Sequence, residues 1–154
     1  MSILFFNAYS FDKSNINNFK DTTDSQKINT KYLVGTWYGN QLNKEGGFRE
    51  EIAYKNIDGT YKLHFRFHDK NGSYYDQIEV GEWGVSGDII FSIFKGWIKN
   101  GVFVPADQNG AFTRDAYKIL KLTEHEIIYK SLDGDDIYKN KKVASNFKFL
   151  NTRP

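Results

Sequence analysis

The segment Gly35-Thr36-Trp37-Tyr38 constrains the fold of this 154-residue chain more than any other feature. It follows a polar leader, residues 1–30, and opens an almost unbroken series of short, aromatic-rich strands. A tryptophan on the first strand of a β-meander is typical of a small closed barrel. The sequence therefore predicts a fold with an interior, and binding inside that interior is the default function.

Composition favours a single all-β domain. Aromatic residues make up 17% of the chain, with 13 Phe and 10 Tyr, and such residues fit the half-buried surface of a sheet. The two prolines, Pro105 and Pro154, leave the predicted strand interiors able to form complete hydrogen-bond ladders. The absence of cysteine excludes disulfides, thiolate metal sites and cysteine nucleophiles.

Charge argues against nucleic acid as a partner. The formal net charge is +2, from 21 basic and 19 acidic residues that are interspersed. A nucleic-acid-binding protein usually has a clustered basic face. The densest basic run, Lys139-Asn140-Lys141-Lys142, is interpreted as a solvated turn or strand end, with a weak anionic contact as the alternative.

Residues 1–30 are predicted to form a flexible segment, and residues 31–154 the folded domain. The apolar run Ile3-Leu4-Phe5-Phe6 is far too short to span a membrane, but it resembles the end of a signal peptide. If it is such a remnant, the protein is periplasmic or secreted; otherwise it is an ordinary terminus and the protein is cytoplasmic.

The predicted fold is a single up-and-down antiparallel β-barrel of about eight strands. A short hairpin arm is expected around Val102–Val104, inside the long connection Gly96–Arg114. The main strands are predicted at Tyr32–Tyr38, Phe48–Asn56, Thr60–His68, Tyr74–Val85, Ile89–Lys95, Asp115–Thr123, Glu126–Leu132 and Asp136–Leu150.

Alternation within the strands predicts which side chains face the interior. In the third strand, Tyr61, Leu63, Phe65 and Phe67 share one face and polar residues share the other. In the second strand, the same reasoning places Phe48, Glu50, Ile52 and Tyr54 inward.

The stretch Leu33-Val34-Gly35-Thr36-Trp37 resembles the Gly-x-Trp signature of the lipocalins and the wider calycin superfamily. The whole run from Tyr32 to Leu150 resembles bacterial lipocalin-like proteins. The resemblance implies that Trp37 plugs the closed end of the barrel and that a basic side chain near the C-terminus stacks on it. Lys148 and Arg153 are the residues best placed for that role. Gly35 would allow close approach beside the indole.

The leading functional hypothesis is a non-enzymatic protein that binds a small hydrophobic or amphipathic molecule, without a cofactor. The alternative is a ligand-free interaction module with a packed core, whose protein partner the sequence does not indicate. The residues expected to contact the ligand are Glu50, Tyr54, Phe65, Trp83, Phe91, Trp97 and Tyr117.

Glu50 is the ionisable residue of most interest, because apolar neighbours on its face would desolvate it. Its structural alternatives are an ion pair with Arg66 or an outward orientation. The connection Gly96–Arg114 carries Trp97, Phe103 and Phe112 and is expected to form either a lid or a hairpin that only packs.

The sequence predicts no metal site and no catalytic triad. His64 and His68 lie four residues apart on one strand, which separates them by roughly 13 Å. No histidine follows His125 that could serve as an axial haem ligand. The acidic run Asp133–Asp136 lacks the other ligands of a calcium loop, and no Gly-x-Ser-x-Gly elbow is present.

Overall fold

The computed structural model describes residues 29–42 and 47–150. Residues 29–33 form a short helix, and nine strands follow. Their bounds are β1 Gly35–Leu42, β2 Phe48–Lys55, β3 Thr60–His68, β4 Tyr74–Ser86, β5 Ile89–Lys99, β6 Val102–Pro105, β7 Arg114–Leu122, β8 Glu126–Ser131 and β9 Ile137–Val143.

Eight of the strands close into an antiparallel ring. Each strand from β1 to β5 pairs with its sequence neighbour, β5 also pairs with β7, and β9 returns to β1. This is the up-and-down barrel architecture of the lipocalins, which confirms the fold predicted from the sequence. The predicted arm is present as β6, which pairs with residues 96–99 of β5 and with no other described strand.

The buried core lies at the end of the barrel where β1 begins. Its buried residues come from the helix and from six of the eight barrel strands. The turns at 56–59, 86–89 and 122–126 surround the same end, which we call the closed end. The core residues are Leu33, Trp37, Ala53, Tyr61, Trp83, Val85, Ile90 and Ile127.

The start of the first predicted strand is wrong. Tyr32 and Leu33 belong to the helix, and β1 begins only at Gly35, whose φ of +126° is readily adopted only by glycine. A Cβ at Gly35 would lie 2.8 Å from Cε of Lys142 on β9. The close neighbour that Gly35 allows is therefore a lysine side chain from the adjacent strand.

The last predicted strand is too long, because β9 ends at Val143. Residues 144–150, which we call the C-terminal tail, cross the outer face of the barrel instead. The Phe147 ring lies 5.1 Å from the Tyr38 ring, and the Phe149 ring lies 4.8 Å from the His64 ring. The tail therefore covers the outer face of β1 and β3, which a simple barrel would leave to solvent.

Candidate functional site

A cavity of about 140 Å³ occupies the barrel interior between the closed end and the opposite, open end. Its walls combine aromatic rings with a small number of charged and amide side chains. The lining residues are Leu33, Trp37, Arg49, Glu51, Lys55, Tyr61, Leu63, Phe65, Trp83, Ile90, Ser92, Tyr117, Ile127, Tyr129, Tyr138 and Asn140.

Three of the seven predicted ligand contacts line this cavity. Phe65, Trp83 and Tyr117 point inward, and the Trp83 indole nitrogen donates a hydrogen bond to the Asn56 carbonyl at 3.1 Å. That bond fixes the ring against the wall. These aromatic side chains give the cavity most of its apolar surface.

The other four predicted contacts, Glu50, Tyr54, Phe91 and Trp97, do not line the cavity. Glu50 and Tyr54 lie on the outer face of β2, where the Lys62 ammonium lies over the Tyr54 ring. The Phe91 ring is 42% exposed. Trp97 packs edge-on against Phe94, with ring centroids 4.8 Å apart. It lies beyond the point where the register of β5 with β4 shifts.

The inward face of β2 is thus opposite to the predicted one. Arg49, Glu51 and Lys55 line the cavity, and Ala53 is buried opposite Trp37 on β1. The β3 prediction is confirmed for Tyr61, Leu63 and Phe65, which all line the cavity. The sequence did not predict that the charged residues Arg49, Glu51 and Lys55 of β2 face the interior.

Glu51 is the best-anchored polar group of the cavity. Its carboxylate accepts a 2.6 Å hydrogen bond from the Asn140 amide and a 3.4 Å hydrogen bond from the Tyr129 hydroxyl. Arg49 lies 3.9 Å from the other carboxylate oxygen and donates to the Gln41 side chain at 3.1 Å. The charges of Glu51 and Arg49 therefore balance within the wall.

Three tyrosines form one aromatic wall beside Glu51. The ring centroids of Tyr117 and Tyr129 are 5.4 Å apart, and Tyr138 stacks on Tyr129 at 5.2 Å. Burial raises the pKa of all three hydroxyl groups. They therefore remain protonated near neutral pH and can donate hydrogen bonds into the cavity.

Lys55 brings a positive charge to the closed end. It pairs with Gly35 on one side and Tyr61 on the other, and it lines the cavity. Burial lowers the pKa of its ammonium group, with a smaller opposing effect of the Glu51 carboxylate. The protein environment therefore penalises the charged form of this lysine.

Burial also shifts the pKa of two further carboxyl groups, one on β4 and one on β7. Burial raises the pKa of Glu79, a hydrogen bond from Gln77 partly opposes this, and the Asp115 carboxylate adds to it. Burial likewise raises the pKa of Asp115. Asp115 is near the start of β7, away from the closed end, and Glu79 lies in the middle of β4.

Trp37 is 1% exposed and forms the floor of the cavity at the closed end. Its indole nitrogen donates a 2.8 Å hydrogen bond to the Leu33 carbonyl at the end of the helix. The cation over its ring is Lys142, at 5.1 Å from the ring centroid, and Lys142 also donates to the Tyr32 carbonyl at 2.9 Å.

The predicted basic partners of Trp37 need correction. Lys142 takes the place expected for Lys148, which is exposed in the C-terminal tail, because β9 ends before that residue. Arg153 lies outside the described residues. The basic run 139–142 was predicted to be a solvated turn or strand end, and it lies at the end of β9. Lys139 and Lys141 are exposed, whereas Asn140 lines the cavity and is 3% exposed and Lys142 lies over Trp37.

Glu50 belongs to a buried polar network on the outer face of β1, β2 and β3. It is 4% exposed, and it contacts His68 and Tyr38, each at 2.7 Å. Burial and the hydrogen bond to Glu50 raise the pKa of Tyr38 to about 12. Glu50 is therefore a structural partner of His68, and the alternative pairing with Arg66 is not formed.

Arg66 instead binds Asp76 on β4 through two hydrogen bonds of 2.8 Å. The Arg66 guanidinium also lies 4.8 Å from the Phe149 ring centroid of the C-terminal tail. Hydrogen bonds from Arg66 and His64 lower the pKa of the Asp76 carboxyl group. The tail therefore seals an outer layer of charged pairs that is separate from the cavity.

The connection Gly96–Arg114, expected to form either a lid or a hairpin that only packs, does not line the cavity. Phe112 is 91% exposed, and Phe103 on β6 is 50% exposed. The Phe103 ring packs instead over Gly96 of β5.

Among the residues described, no group of three acidic or histidine side chains is arranged to hold a metal ion. No helix of the described chain is long and apolar enough to cross a bilayer.

Comparison with known proteins gives similarity in structure only. No protein-family model matches the chain, and no curated protein matches its sequence. A lipocalin-like protein from Bacteroides uniformis is similar with a TM-score of 0.42 and 12% identity, over 73% of this chain and 99% of that one. A de novo designed fluorescence-activating β-barrel is similar with a TM-score of 0.37 and 14% identity, over 73% and 94% of the two chains.

Proposed function

We propose that this protein binds one small amphipathic molecule inside its barrel and does not catalyse a reaction on it. The observation that carries the proposal is the cavity of about 140 Å³, walled by aromatic rings and by polar groups held in place. Binding sites for small molecules are typically concave and mostly apolar, with a few well-placed polar groups. The combination of Phe65, Trp83 and Tyr117 with Glu51 and Asn140 has this character.

The cavity size sets the size of the ligand. A buried cavity of about 150 Å³ holds a benzene molecule, whereas pockets for drug-sized ligands measure about 300–1,000 Å³. The ligand is therefore comparable to a single aromatic ring with a small substituent. A ligand-free module with a packed core is disfavoured, because packed interiors leave few voids larger than a water molecule.

Binding without catalysis is supported by where the histidines lie. His64 and His68 are on the outer face of β3, beneath the C-terminal tail and beside Glu50, and His125 is in the turn between β7 and β8. None of the three lines the cavity. The hydroxyl groups inside belong to Ser92 and to tyrosines, and no histidine is near to activate them.

Native mass spectrometry of protein purified from its own source tests the proposal. We expect a mass increment that corresponds to one small molecule. Ser92→Phe should remove the increment, because Ser92 lines the cavity and a benzyl group there fills it. Ser86→Phe is the matched control, because Ser86 is exposed at the end of β4.

The contrary result is also clear. If the purified protein carries no small molecule and binds none of a set of single-ring probes, the ligand-free interaction module becomes the better account. If Ser92→Phe retains the bound molecule at full occupancy, the ligand lies elsewhere on the protein.

A further inference from the structure

Lys55 is a charged side chain of the cavity that lacks a partner. Its ammonium group forms no ion pair and no hydrogen bond with any residue that the structure describes. Its neighbours in the cavity wall at the closed end are Leu33, Trp37, Tyr61 and Trp83. Lys55 is thus a half-buried cation whose ammonium group is accessible to water and faces a cavity lined mostly by apolar and aromatic side chains.

The Glu51 carboxylate acts on Lys55 from four residues away on the same strand, and its effect on the Lys55 pKa is smaller than that of burial. That carboxylate is already occupied by Asn140 and Tyr129, with Arg49 3.9 Å away. Among the described residues the cavity therefore has a cation at the closed end whose charge Glu51 compensates only in part.

An unpaired ammonium group in such an environment is unfavourable unless an anion pairs with it. The lowered pKa of Lys55 has the same physical origin. A ligand anion that reached the closed end would supply the missing partner in a site of low polarity, where charge-assisted hydrogen bonds are strong.

We propose that the ligand is a small carboxylate with an apolar body of about one aromatic ring, and that its carboxylate pairs with Lys55 at the closed end. This inference rests on the proposed binding function and specifies the class of ligand. The apolar body would lie against Phe65 and Tyr117. The reverse orientation would bring the carboxylate toward Glu51 and Glu79, where the Arg49 guanidinium already lies 3.9 Å from the Glu51 carboxylate.

Isothermal titration calorimetry with phenylacetate and with its uncharged counterpart phenylacetamide tests the inference. We expect wild-type protein to bind phenylacetate about tenfold more tightly or better, since a charge-assisted hydrogen bond is made only by the anion. Lys55→Met should abolish this preference by weakening the binding of phenylacetate. Lys62→Met is the matched control, because Lys62 lies on the outer face of β3 over the Tyr54 ring.

A second measurement uses the wild-type protein and does not depend on the folding of a variant. NMR of the lysine side chains, labelled by reductive ¹³C-methylation, reports the pKa of each ammonium group. Saturating phenylacetate should raise the pKa of the Lys55 signal and leave that of Lys62 unchanged. Phenylacetamide should leave both unchanged.

The outcomes separate this inference from the proposed function. Equal affinity for phenylacetate and phenylacetamide in wild-type protein would overturn the inference and still support binding in the cavity. An unchanged Lys55 pKa on saturation with phenylacetate would overturn the inference as well. If neither phenylacetate nor phenylacetamide binds, the result counts against the inference and against the proposed function. Native mass spectrometry of protein from its own source would then decide whether a small molecule is bound.

Discussion

The indole nitrogen of Trp37 donates a 2.8 Å hydrogen bond to the carbonyl oxygen of Leu33, so the first strand of the barrel caps the helix that precedes it. The last carbonyl groups of a helix have no partner within the helix and must find one elsewhere. Trp37 supplies one partner, and Lys142 supplies another by donating to the Tyr32 carbonyl. The closed end is therefore one unit of helix terminus, indole ring and lysine.

We expect Trp37→Ala to lower the free energy of unfolding by about 3–5 kcal/mol, because it leaves a cavity in the core and removes the partner of the Leu33 carbonyl. Urea denaturation followed by circular dichroism measures this. Trp97→Ala is the control and should have a clearly smaller effect, since Trp97 is only half-buried beyond the barrel rim. Equal losses in the two variants would contradict the role of Trp37 as the plug.

The C-terminal tail should contribute to stability through Phe149. This ring is 9% exposed and packs against His64 and Arg66. We expect Phe149→Ala to reduce the free energy of unfolding by about 3 kcal/mol, at the lower end for truncation of a buried phenylalanine. Leu150→Ala should change it little, because that side chain is 67% exposed. The prediction fails if the two variants unfold at the same urea concentration.

Asp76→Asn should destabilise the protein at neutral pH and less so in acid. Hydrogen bonds from Arg66 and His64 hold the pKa of Asp76 below its usual value, so its ionised form stabilises the fold above the unfolded-state pKa of 3.8. That contribution is lost as the pH falls through the lower, folded-state pKa. The free energy of unfolding, measured from pH 7 to pH 3, should differ less and less between the variant and wild type as the pH falls.

The control for that series is Asp88→Asn. Asp88 pairs with Lys118 at 3.7 Å on the surface, with both side chains more than half exposed, and such pairs contribute little. If the difference in the free energy of unfolding between Asp76→Asn and wild type stayed constant with pH, the charge of Asp76 would not be the stabilising feature.

Glu79→Gln should have the opposite dependence on pH. Burial raises the pKa of Glu79 above 4.5, so ionisation disfavours the folded state once the pH exceeds the folded-state pKa. The variant should therefore be more stable than wild type at pH 7, and the difference should disappear as the pH falls to about 4. Thermal unfolding across this range measures it.

Glu82→Gln provides the comparison on the same strand. Glu82 is 56% exposed and pairs with Lys95 at 3.3 Å, so its replacement should not stabilise the protein at pH 7. If Glu79→Gln is destabilising at neutral pH, the carboxylate makes interactions that outweigh its burial.

The sequence predicted the strand order well, because turns and alternation are local properties. The bounds of β3 agree with the prediction, and the hairpin arm was found near its predicted position. The orientation of β2 was predicted wrongly for a physical reason. Both of its faces are buried: the outer face holds Glu50 under a layer to which the C-terminal tail contributes, and the inner face holds Ala53. Alternation cannot distinguish the two faces of such a strand.

The same reasoning explains why the polar groups of the site were missed. Lys55, Glu51 and Asn140 lie in stretches whose composition is typical of a solvated face, and only the pairing of β1 with β2 and with β9 brings them inside. The small residue Ala53 was the one available signal, since a strand must present little bulk where it faces Trp37. The aromatic lining was easier to predict, because β3 has a clear apolar face.

The incomplete pairing of β6 bears on how copies of this protein can aggregate. Sheet growth from one chain to another needs a strand with a free row of amide and carbonyl groups. Barrel closure removes most of such rows. The pairings leave short free edges at residues 40–42 of β1 and 137–139 of β9, where these two strands face each other, at residues 74–78 of β4 on the side of β5, and on the four-residue β6. That strand ends in Pro105, which has no amide hydrogen to offer a neighbour. Growth by strand addition therefore has only short starting points in the folded barrel as described, and Pro105 limits the one on β6.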